Sequence, residues 1–231
     1  MPGHSDIESN ASRAPAGSAE QWRQAGIALA AGLDALEQSL APDRRQAMLD
    51  YLHELVRWSR AYNLTAVTEP LEMVDRHLID SLSIRPFVQA DRVLDVGTGA
   101  GLPGVPLAIA EPGRHFMLID SNGKKVRFLR HIQRTLSLDN IEPVHARLEQ
   151  LAPAPGACDV IARALAPLPR LVDWLAPWLA RGGRLLAMKA QLEESERSGV
   201  PDAYNVRIEP LRWPGQRAER CLAIVTLGDS D

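Results

Sequence analysis

The feature that most constrains this chain is a glycine-rich segment that follows a short apolar run. The run Val93–Val96 leads into glycines at positions 97, 99, 101 and 104, and Pro103 stands where a helix is expected to begin. Glycine is favoured where the backbone takes a positive φ or approaches a ligand closely. A loop that ends at a helix N-terminus also presents unpaired N–H groups to an anionic group. The segment therefore predicts a strand, a ligand-binding loop and a helix, in that order.

Two carboxylates accompany this segment. The next apolar run ends at Asp120, about twenty residues further on, where nucleotide-binding folds place a carboxylate that binds ribose hydroxyls. Asp95 lies inside the first run, before the first glycine. We expect Asp95 to hold an ammonium group of the ligand and Asp120 to hold its ribose. Together these positions predict an adenosine-type ligand.

Two kinds of cofactor fit the glycine spacing. Gly99, Gly101 and Gly104 match the dinucleotide fingerprint G-x-G-x-x-G. Asp95 favours S-adenosyl-L-methionine, because a carboxylate pairs with its ammonium group and repels a pyrophosphate. A hairpin predicted near the end of the chain also decorates methyltransferases of this fold. A nicotinamide-dependent oxidoreductase, a non-catalytic nucleotide-binding sensor and a structural loop without a nucleotide stay open as alternatives.

From Asp91 onward, short apolar runs alternate with helical stretches. The expected strands are Arg92–Val96, His115–Asp120, Pro143–Arg147, Asp159–Ala162, Gly183–Ala190, Val206–Trp213 and Cys221–Leu227. The alternation predicts parallel βαβ units, whereas the last two runs are joined by a short turn and predict an antiparallel hairpin. The expected fold is of the α/β class: a doubly wound, mostly parallel, seven-stranded Rossmann-like sheet with strand order 3-2-1-4-5-7-6 by analogy.

The chain is expected to divide into three parts. Residues 1–20 are rich in Ser, Ala, Gly and Pro and predict a disordered tail. Residues 21–90 predict an N-terminal helical subdomain, and residues 91–231 the catalytic domain. The expected helices of the subdomain are a first from about Trp22 to Leu40, a second that follows Pro42 with Asp43 as its cap, and a third from about Pro70 to Leu82.

Composition narrows the class of protein. Hydrophobic residues make up 45% of the chain and charged residues 24%, which is ordinary for a soluble globular protein. No apolar run approaches the ~18 residues of a membrane span, and the N-terminus lacks a signal core, so a cytoplasmic location is expected. Cys158 and Cys221 are far apart, so neither a disulfide framework nor a metal site is expected. The net charge of −3 argues against a strongly basic nucleic-acid binder but allows a local basic face.

The segments around the fourth strand restrict the reaction. Amino-group methylation of bases commonly uses an Asn/Asp-Pro-Pro-aromatic motif there, whereas this chain has Ile161–Pro167, which lacks it. Carbon-5 methylation of pyrimidines needs a cysteine nucleophile, and neither Cys158 nor Cys221 is well placed for that role. A ring nitrogen such as guanine N7 needs alignment and a suitable field rather than a general base. The sequence is compatible with that reaction.

A basic stretch follows Asp120. No acidic residue lies between Asp120 and Asp139, and the cationic or titratable residues there are Lys124, Lys125, Arg127, Arg130, His131 and Arg134. The buried face of the predicted helix consists of Val126, Leu129, Ile132 and Leu136. The basic side chains are therefore expected to project outward. Such a face either contacts RNA phosphates or is simply solvated.

Seven short motifs occur in a fixed order along the chain. They are Tyr62-Asn63-Leu64-Thr65, Arg76-His77-x-x-Asp80-Ser81, Asp95-Val96-Gly97-Thr98-Gly99-x-Gly101-Leu102-Pro103-Gly104, Asp120-Ser121-x-x-Lys124-Lys125-x-x-Phe128-Leu129, Arg163-Ala164, Met188-Lys189 and Glu219-Arg220. In this order they resemble the RsmG (GidB) family of bacterial small-subunit ribosomal RNA guanine-N7 methyltransferases. The resemblance covers about residues 45 to 227, and Ala190 departs from the glycine that the family often carries there.

The resemblance implies that a methyl group passes from S-adenosyl-L-methionine to N7 of one guanine in 16S ribosomal RNA, free or within the small ribosomal subunit. We expect the chain to act as a monomer. The expected cofactor contacts are Asp95, Gly97, Gly99, Leu102, Asp120, Leu148, Glu149 and Arg163. The expected catalytic residues are Arg163 and Lys189, and the expected RNA contacts are His77, Lys124, Lys125, Arg127 and Arg130. Glu149 also fits a helix-start residue, Arg163 a structural salt bridge and His77 a structural histidine.

Overall fold

One seven-stranded sheet forms the centre of the molecule. The computed structural model describes residues 17–153, 156–214, 216 and 218–228, so most of the predicted tail lies outside the described residues. The strands are β1 (Arg92–Val96), β2 (His115–Asp120), β3 (Ile141–His145), β4 (Asp159–Arg163), β5 (Arg184–Lys189), β6 (Tyr204–Leu211) and β7 (Arg220–Leu227). Their order is β3-β2-β1-β4-β5-β7-β6. The first five are parallel, and β7 runs antiparallel to β5 and β6. The predicted fold class, strand order and hairpin are confirmed.

Helices connect the strands and precede them. The α-helices are α1 (Ala19–Ala35), α2 (Pro42–Tyr62), α3 (Pro70–Met73), α4 (Asp80–Leu82), α5 (Gly104–Ala110), α6 (Gly123–Thr135), α7 (Leu168–Leu179) and α8 (Glu194–Ser198). A π-helical turn, Val74–Ile79, joins α3 to α4, and single 3₁₀ turns occupy Arg85–Phe87 and Leu148–Gln150. Within the described part of the chain, no helix has the length and apolar character needed to cross a bilayer.

The two faces of the sheet have separate hydrophobic cores. Val93, Phe116 and Leu118 point to one face, where they pack with buried residues of α1, α2, α5 and α6. Leu94 and Val96 point to the other face and pack against α7. This burial of both faces explains why the central strands read as continuous apolar runs. The N-terminal helices thus share a core with the sheet, and the division of the chain near residue 90 stays a prediction.

Several predicted elements differ in their bounds from the structure. The first helix ends at Ala35 rather than at Leu40, and the sixth strand is Tyr204–Leu211 rather than Val206–Trp213. The segment Pro70–Leu82 was expected to be one regular helix, but its middle is the π-helical turn. The third strand begins two residues before Pro143 and ends at His145, so the predicted bounds were late. Proline is tolerated inside β3 because this strand lies at the edge of the sheet and pairs only with β2.

The helix starts also refine the predictions. α1 begins at Ala19, because Ser18 accepts a hydrogen bond from the backbone N–H of Gln21 in a capping box. Ala19 and Glu20 therefore belong to the first helix rather than to the predicted tail, and Ser18 is its N-cap. α2 has Ala41 as its N-cap without a side-chain hydrogen bond, so the capping role expected of Asp43 was wrong. Asp43 instead lies in the first turn, where its charge favours the helix dipole.

Candidate functional site

The glycine-rich loop lies where β1, β2 and β4 end, at the carboxyl edge of the sheet, which is where open α/β sheets bind ligands. The loop is tied to its neighbours on two sides. The Thr98 N–H donates to the Ile119 carbonyl over 3.1 Å. Tyr51 of α2, which is fully buried, donates its hydroxyl to the Ala100 carbonyl over 2.9 Å. Burial raises the pKa of Tyr51 above its usual value, so the hydroxyl remains a donor at neutral pH. The N-terminal helices thus help to hold the loop.

Asp95 lies beneath the loop and is fully buried. Its Oδ2 accepts hydrogen bonds from the Thr98 hydroxyl at 2.6 Å and from the Gly104 N–H at 2.8 Å. Its Oδ1 is buried and has no hydrogen-bond partner among the described residues. Burial raises the pKa of Asp95 to about 6, against the lowering effect of these two hydrogen bonds. One carboxylate oxygen therefore fixes the loop, and the other is left to accept from a cationic or N–H group of a ligand.

Two glycines of the loop, Gly99 and Gly104, have different structural roles. Gly99 has a φ of +64°, and a Cβ built on it would touch no atom closer than 3.9 Å. Gly104 is different, because a Cβ there would collide with Leu118 and lie 2.6 Å from Oδ2 of Asp95. Gly104 is required by packing, whereas the open side of Gly99 forms a cradle beside which a ligand can lie. The atoms nearest to this open side are the Gly97 carbonyl oxygen and Nζ of Lys125, both 3.9 Å from the position of the Cβ.

Asp120 ends β2 next to this cradle and is largely buried. Its Oδ2 accepts from the Gly99 N–H at 2.9 Å, and its Oδ1 accepts from the Asn122 N–H at 2.8 Å. The Lys125 ammonium lies 3.5 Å from Oδ2. Lys125 was expected on the outward RNA-binding face, but the structure turns it back toward the pocket. The reason is that Lys125 lies in the first turn of α6, on the side that faces Asp120 at the end of β2.

The remaining predicted cofactor contacts surround the same edge. Gly97 lies under the Leu165 side chain, since a Cβ on it would approach Leu165 Cδ1 to 2.6 Å. Leu102 is partly exposed, and its N–H already donates to the Thr98 carbonyl over 3.0 Å. Leu148 is buried and Glu149 exposed in the 3₁₀ turn after β3. Their contact with a cofactor stays a prediction.

Arg163 ends β4 and forms an ion pair. Its Nη2 lies 3.1 Å from Oδ2 of the buried Asp80 and donates to the Arg76 carbonyl over 3.0 Å. Oδ1 of Asp80 accepts from Nε of Arg220, also over 3.1 Å. The structural salt bridge weighed for Arg163 is therefore present. Arg163 nevertheless stands beside the loop, because its neighbour Ala162 pairs with Val96 at the end of β1.

Lys189 does not have a free ammonium group at the site. Its Nζ donates to the Ala166 carbonyl over 2.9 Å and pairs with Glu196 Oε2 over 2.7 Å. The same Glu196 oxygen accepts from the Leu168 N–H at 2.8 Å. These bonds tie the loop after β4 to α8. The ammonium group of Lys189 is thus paired with a carboxylate 7 residues away in the chain, and its catalytic contact stays a prediction.

His77 lies in the interior rather than on an RNA-facing surface. It is 6% exposed, and its Nε2 lies 2.9 Å from the Thr65 hydroxyl. Burial, and next the nearby Arg163 charge, lower the pKa of His77 to about 4. The ring is thus neutral at physiological pH and offers no charge to a phosphate. The RNA contact expected of His77 is corrected to the structural reading.

The outer face of α6 carries the basic residues that remain. The exposed members are Lys124, Arg127, Arg130 and Arg134. Within the described part of the chain, none of their side chains forms a salt bridge. His131 instead pairs with Glu54 of α2 over 2.6 Å. The buried face includes Phe128, which the sequence interpretation had omitted, while Leu136 is only partly buried. Four cations on one face produce a positive local field on a chain with net negative charge.

Three residues of the site were missed at the sequence level. Tyr51 was not singled out in the sequence, although it bonds to the loop in the structure. Asp80 and Arg220 stood inside two of the family motifs; Asp80 was expected only to close over the cofactor or guide RNA, and Arg220 was given no role. The only available signal was their place in those motifs, since nothing local shows that a helix carboxylate meets arginines of two strands.

Comparison with protein families agrees with this geometry. The family model of GidB, described as rRNA small subunit methyltransferase G, matches residues 44–222. A relative of that name from Methylococcus capsulatus is 47% identical over 83% of this chain and 94% of its own. Another from Salmonella arizonae is 44% identical over 84% of this chain and 94% of its own. An Escherichia coli relative of the same name is 43% identical over 81% of this chain and 91% of its own.

Solved structures share the fold at low sequence identity. A tRNA (uracil-54, C5)-methyltransferase from Pyrococcus abyssi, in complex with S-adenosyl-L-homocysteine, superposes with a TM-score of 0.51 and 21% identity over 69% of this chain and 39% of its own. A SAM-dependent methyltransferase from Leishmania major gives a TM-score of 0.54 and 12% identity over 76% of this chain and 83% of its own. These likenesses support the architecture of the sheet and its helices.

Proposed function

The chain belongs to the GidB family of small subunit ribosomal RNA methyltransferases, and from this premise we propose that it methylates N7 of one guanine in 16S ribosomal RNA. It is an S-adenosyl-L-methionine-dependent ribosomal RNA methyltransferase. The choice of N7 and of the 16S molecule is the part that goes beyond the family description. It rests on the chemistry of the site and on the motifs shared with the guanine-N7 enzymes.

The observation that carries the proposal is the buried Oδ1 of Asp95, which has no partner among the described residues while Oδ2 holds the glycine-rich loop at Thr98 and Gly104. A buried carboxylate oxygen without a partner is costly, and a ligand with an ammonium group relieves that cost. S-adenosyl-L-methionine has such a group and supplies a methyl group from its sulfonium centre when bound. Asp120 beside Gly99 supplies the acceptor that ribose hydroxyls need. The residues present therefore fit this cofactor.

The residues at the site suit an acceptor that needs no deprotonation. Guanine N7 carries a lone pair in the base plane, so alignment and field are sufficient. Burial lowers the pKa of His77 to about 4, which makes its ring a weak base, and both Asp95 and Asp120 hold the loop through hydrogen bonds. None of these groups is therefore poised as a general base. We assign Arg163, at the end of β4, to orienting the reacting groups.

The proposed cofactor contacts are Asp95, Gly97, Gly99, Leu102, Asp120, Leu148, Glu149 and Arg163. Lys125 joins them through its ion pair with Asp120. We propose that RNA phosphates meet the outer face of α6 at Lys124, Arg127 and Arg130, which are exposed and form no salt bridge among the described residues. Such contacts position RNA without reading its sequence.

The test is methylation of purified RNA and subunits. The protein is incubated with S-adenosyl-L-methionine carrying a labelled methyl group and with either unmodified 16S ribosomal RNA or small subunits. Mass spectrometry of nuclease fragments then locates the label. We expect one 7-methylguanosine in 16S ribosomal RNA. Label on another atom or in no ribosomal RNA would refute the proposal, and binding of a nicotinamide cofactor by calorimetry would point to the oxidoreductase alternative.

We also propose that the chain acts as a monomer in the cytoplasm, where ribosomal RNA is available, with residues 21–90 and 91–231 as its two structural units. Light scattering after size exclusion, at the protein concentration of the assay, should give a mass near 25.3 kDa. A stable dimer whose dissociation abolishes methylation would contradict this.

A further inference from the structure

The buried carboxylate of Asp80 joins two arginines from different strands. Its side chain is 3% exposed, and those of Arg163 and Arg220 are 25% and 27% exposed. Oδ2 lies 3.1 Å from Nη2 of Arg163, and Oδ1 lies 3.1 Å from Nε of Arg220. The sequence separation of Asp80 and Arg220 is 140 residues. One acidic group of a helix therefore fixes a cation at the end of β4 and another at the start of β7.

The two arginines face different surroundings. Arg163 follows Ala162, which pairs with Val96 of β1, so it stands beside the glycine-rich loop. Its charge is close enough to Asp95 to oppose the rise of that carboxyl pKa. Arg220 instead lines a cavity of about 840 Å³ between the segment after β5 and the turn of the β6–β7 hairpin, and the other charged residues of its lining are Arg212, Glu193, Glu194 and Glu219. The cavity lies at the same edge of the sheet as the loop.

The arrangement is held by an irregular helix. The π-helical turn Val74–Ile79 directly precedes Asp80, whose N–H donates to the Asp75 carbonyl five residues back. The Asp75 carboxylate in turn accepts from Nε1 of Trp213 over 2.9 Å, at the hairpin turn. Single π turns inside helices are frequently found at functional sites. Here the π-helical turn accepts one hydrogen bond from Arg163, beside the glycine-rich loop, and another from Trp213, at the hairpin turn.

Electrostatics explain why the carboxylate matters. Two partly buried guanidinium groups that share one anchor repel each other once the negative charge is removed. With Asp80 ionised, the three groups carry a net charge of +1, and each guanidinium keeps N–H donors beyond those used in the bonds given above. Those donors suit carboxylate or phosphate oxygens of a ligand.

We propose that Asp80 is a positioning residue that aims Arg163 at the carboxylate of the cofactor and Arg220 at a phosphate of the RNA strand in the 840 Å³ cavity. This inference rests on the proposed function, because it takes the substrate to be RNA. It adds the substrate class of the cavity and a physical link between the two binding sites. Asp80 itself touches neither ligand.

The first experiment compares Asp80→Asn with Asp159→Asn. Asp159 is an equally buried carboxylate, paired with Arg184 at 2.7 Å, but it lies at the opposite end of β4. Both variants should lower the melting temperature. Per folded molecule, Asp80→Asn should lower kcat/KM for 16S ribosomal RNA by about 10²-fold and weaken S-adenosyl-L-homocysteine binding, as removing an aligned polar group does. Asp159→Asn should leave both near the wild-type values.

The second experiment separates the RNA contact of Arg220 from the cofactor contact of Arg163. Arg220→Gln should raise KM for RNA and reduce the slope of log affinity against log salt by about one, because one phosphate is no longer neutralised, while cofactor affinity stays unchanged. The variant that combines Asp80→Asn with Arg220→Gln should have the same kcat/KM as Asp80→Asn alone. The reason is that Asp80→Asn already removes the group that positions Arg220. Strictly additive losses would overturn the inference.

The outcomes distinguish this inference from the proposed function. Wild-type protein that methylates ribosomal RNA, with an Arg220→Gln variant of unchanged KM and salt slope, would overturn the role of the cavity alone. Equal activity losses in Asp80→Asn and Asp159→Asn would show that Asp80 is merely structural. Wild-type protein that methylates no ribosomal RNA would refute the proposed function itself.

Discussion

Asp95 shows how one side chain serves both the fold and the ligand. Its Oδ2 holds the loop through Thr98 and Gly104, and its Oδ1 is buried without a partner among the described residues. A group in this state is sensitive to what binds next to it. The protonation of Asp95 is therefore expected to depend on whether a cofactor is bound beside Oδ1.

The first prediction follows from the raised pKa of Asp95. The free protein holds a proton there below pH about 6, and a ligand ammonium group needs the carboxylate. Affinity for S-adenosyl-L-homocysteine should therefore fall as the pH drops below about 6, approaching tenfold per pH unit. Calorimetry from pH 5 to 8 measures this. Asp95→Asn should bind more weakly at pH 8 and lose the dependence, and a wild-type affinity independent of pH would exclude the pairing.

The same shift has a consequence for stability. Folding raises the pKa of Asp95 from its usual 3.8 to about 6, so the folded state binds the proton more tightly than the unfolded state does. The stability that the ligand-free protein gains from this tighter proton binding is fully present below pH about 4. It is lost as the pH rises through 6. Asp95→Asn should remove this loss.

The second prediction concerns Gly99. Valine at this position would require a strained backbone at φ +64° and would fill the open side beside Asp120. We expect Gly99→Val to abolish the rise in melting temperature that S-adenosyl-L-homocysteine gives by mass action. Gly156→Val is the matched control, because Gly156 has a φ of +88° with open space around it. Normal ligand stabilisation of Gly99→Val would mean that the cradle is not the cofactor site.

At the scale of elements, α6 combines two functions on two faces. Its first turn sends Lys125 to Asp120 at the pocket, while its outer face carries exposed arginines. A charge reversal at Lys125 would therefore disturb the cofactor as well as RNA. Only the outer arginines isolate the RNA contribution.

The third prediction uses those arginines. Reversing Arg127 and Arg130 to glutamate should weaken binding of 16S ribosomal RNA and reduce the salt slope by about two, one for each phosphate that is no longer neutralised. Affinity for S-adenosyl-L-homocysteine should stay within about twofold, because neither side chain reaches the loop. Reversing the exposed Arg170 and Arg181 provides the control. If both double variants bind RNA like the wild type, the outer face of α6 is only solvated.

At the scale of the whole molecule, the packing of the N-terminal helices on the sheet decides the chemistry available at its edge. His77 is enclosed between these helices and the edge, and burial lowers its pKa to about 4. The imidazole is therefore too weak a base to serve as an efficient proton acceptor near pH 7.

The fourth prediction follows for the rate. With both substrates saturating, the single-turnover rate of methylation should be flat between about pH 6.5 and 8, because N7 needs no deprotonation. His77→Ala should preserve that shape, even if it lowers stability by opening a cavity. A sigmoidal rise between pH 6 and 8 that disappears in His77→Ala would point to a general base, and hence to an exocyclic amine or a hydroxyl as the acceptor.

Much of the fold could be predicted because its signals are local. The bounds of β1 and β2 match the apolar runs that end at Val96 and Asp120. The glycine-rich loop and the buried stripe of α6 follow from steric rules and helical periodicity, which act over a few residues. The strand order was confirmed as well, although it came from analogy with the class rather than from the residues themselves.

The partners of the charged side chains were decided by the tertiary structure alone. Lys125 turns to Asp120, Lys189 to Glu196, and Asp80 gathers Arg163 and Arg220. A sequence states which charges exist, but an ion pair forms only where the fold brings two groups within a few ångströms away from water. The burial of His77 has the same origin. The sequence by itself determined the sheet and the ligand loop, and three-dimensional packing determined which of the polar residues around that loop stay free to act.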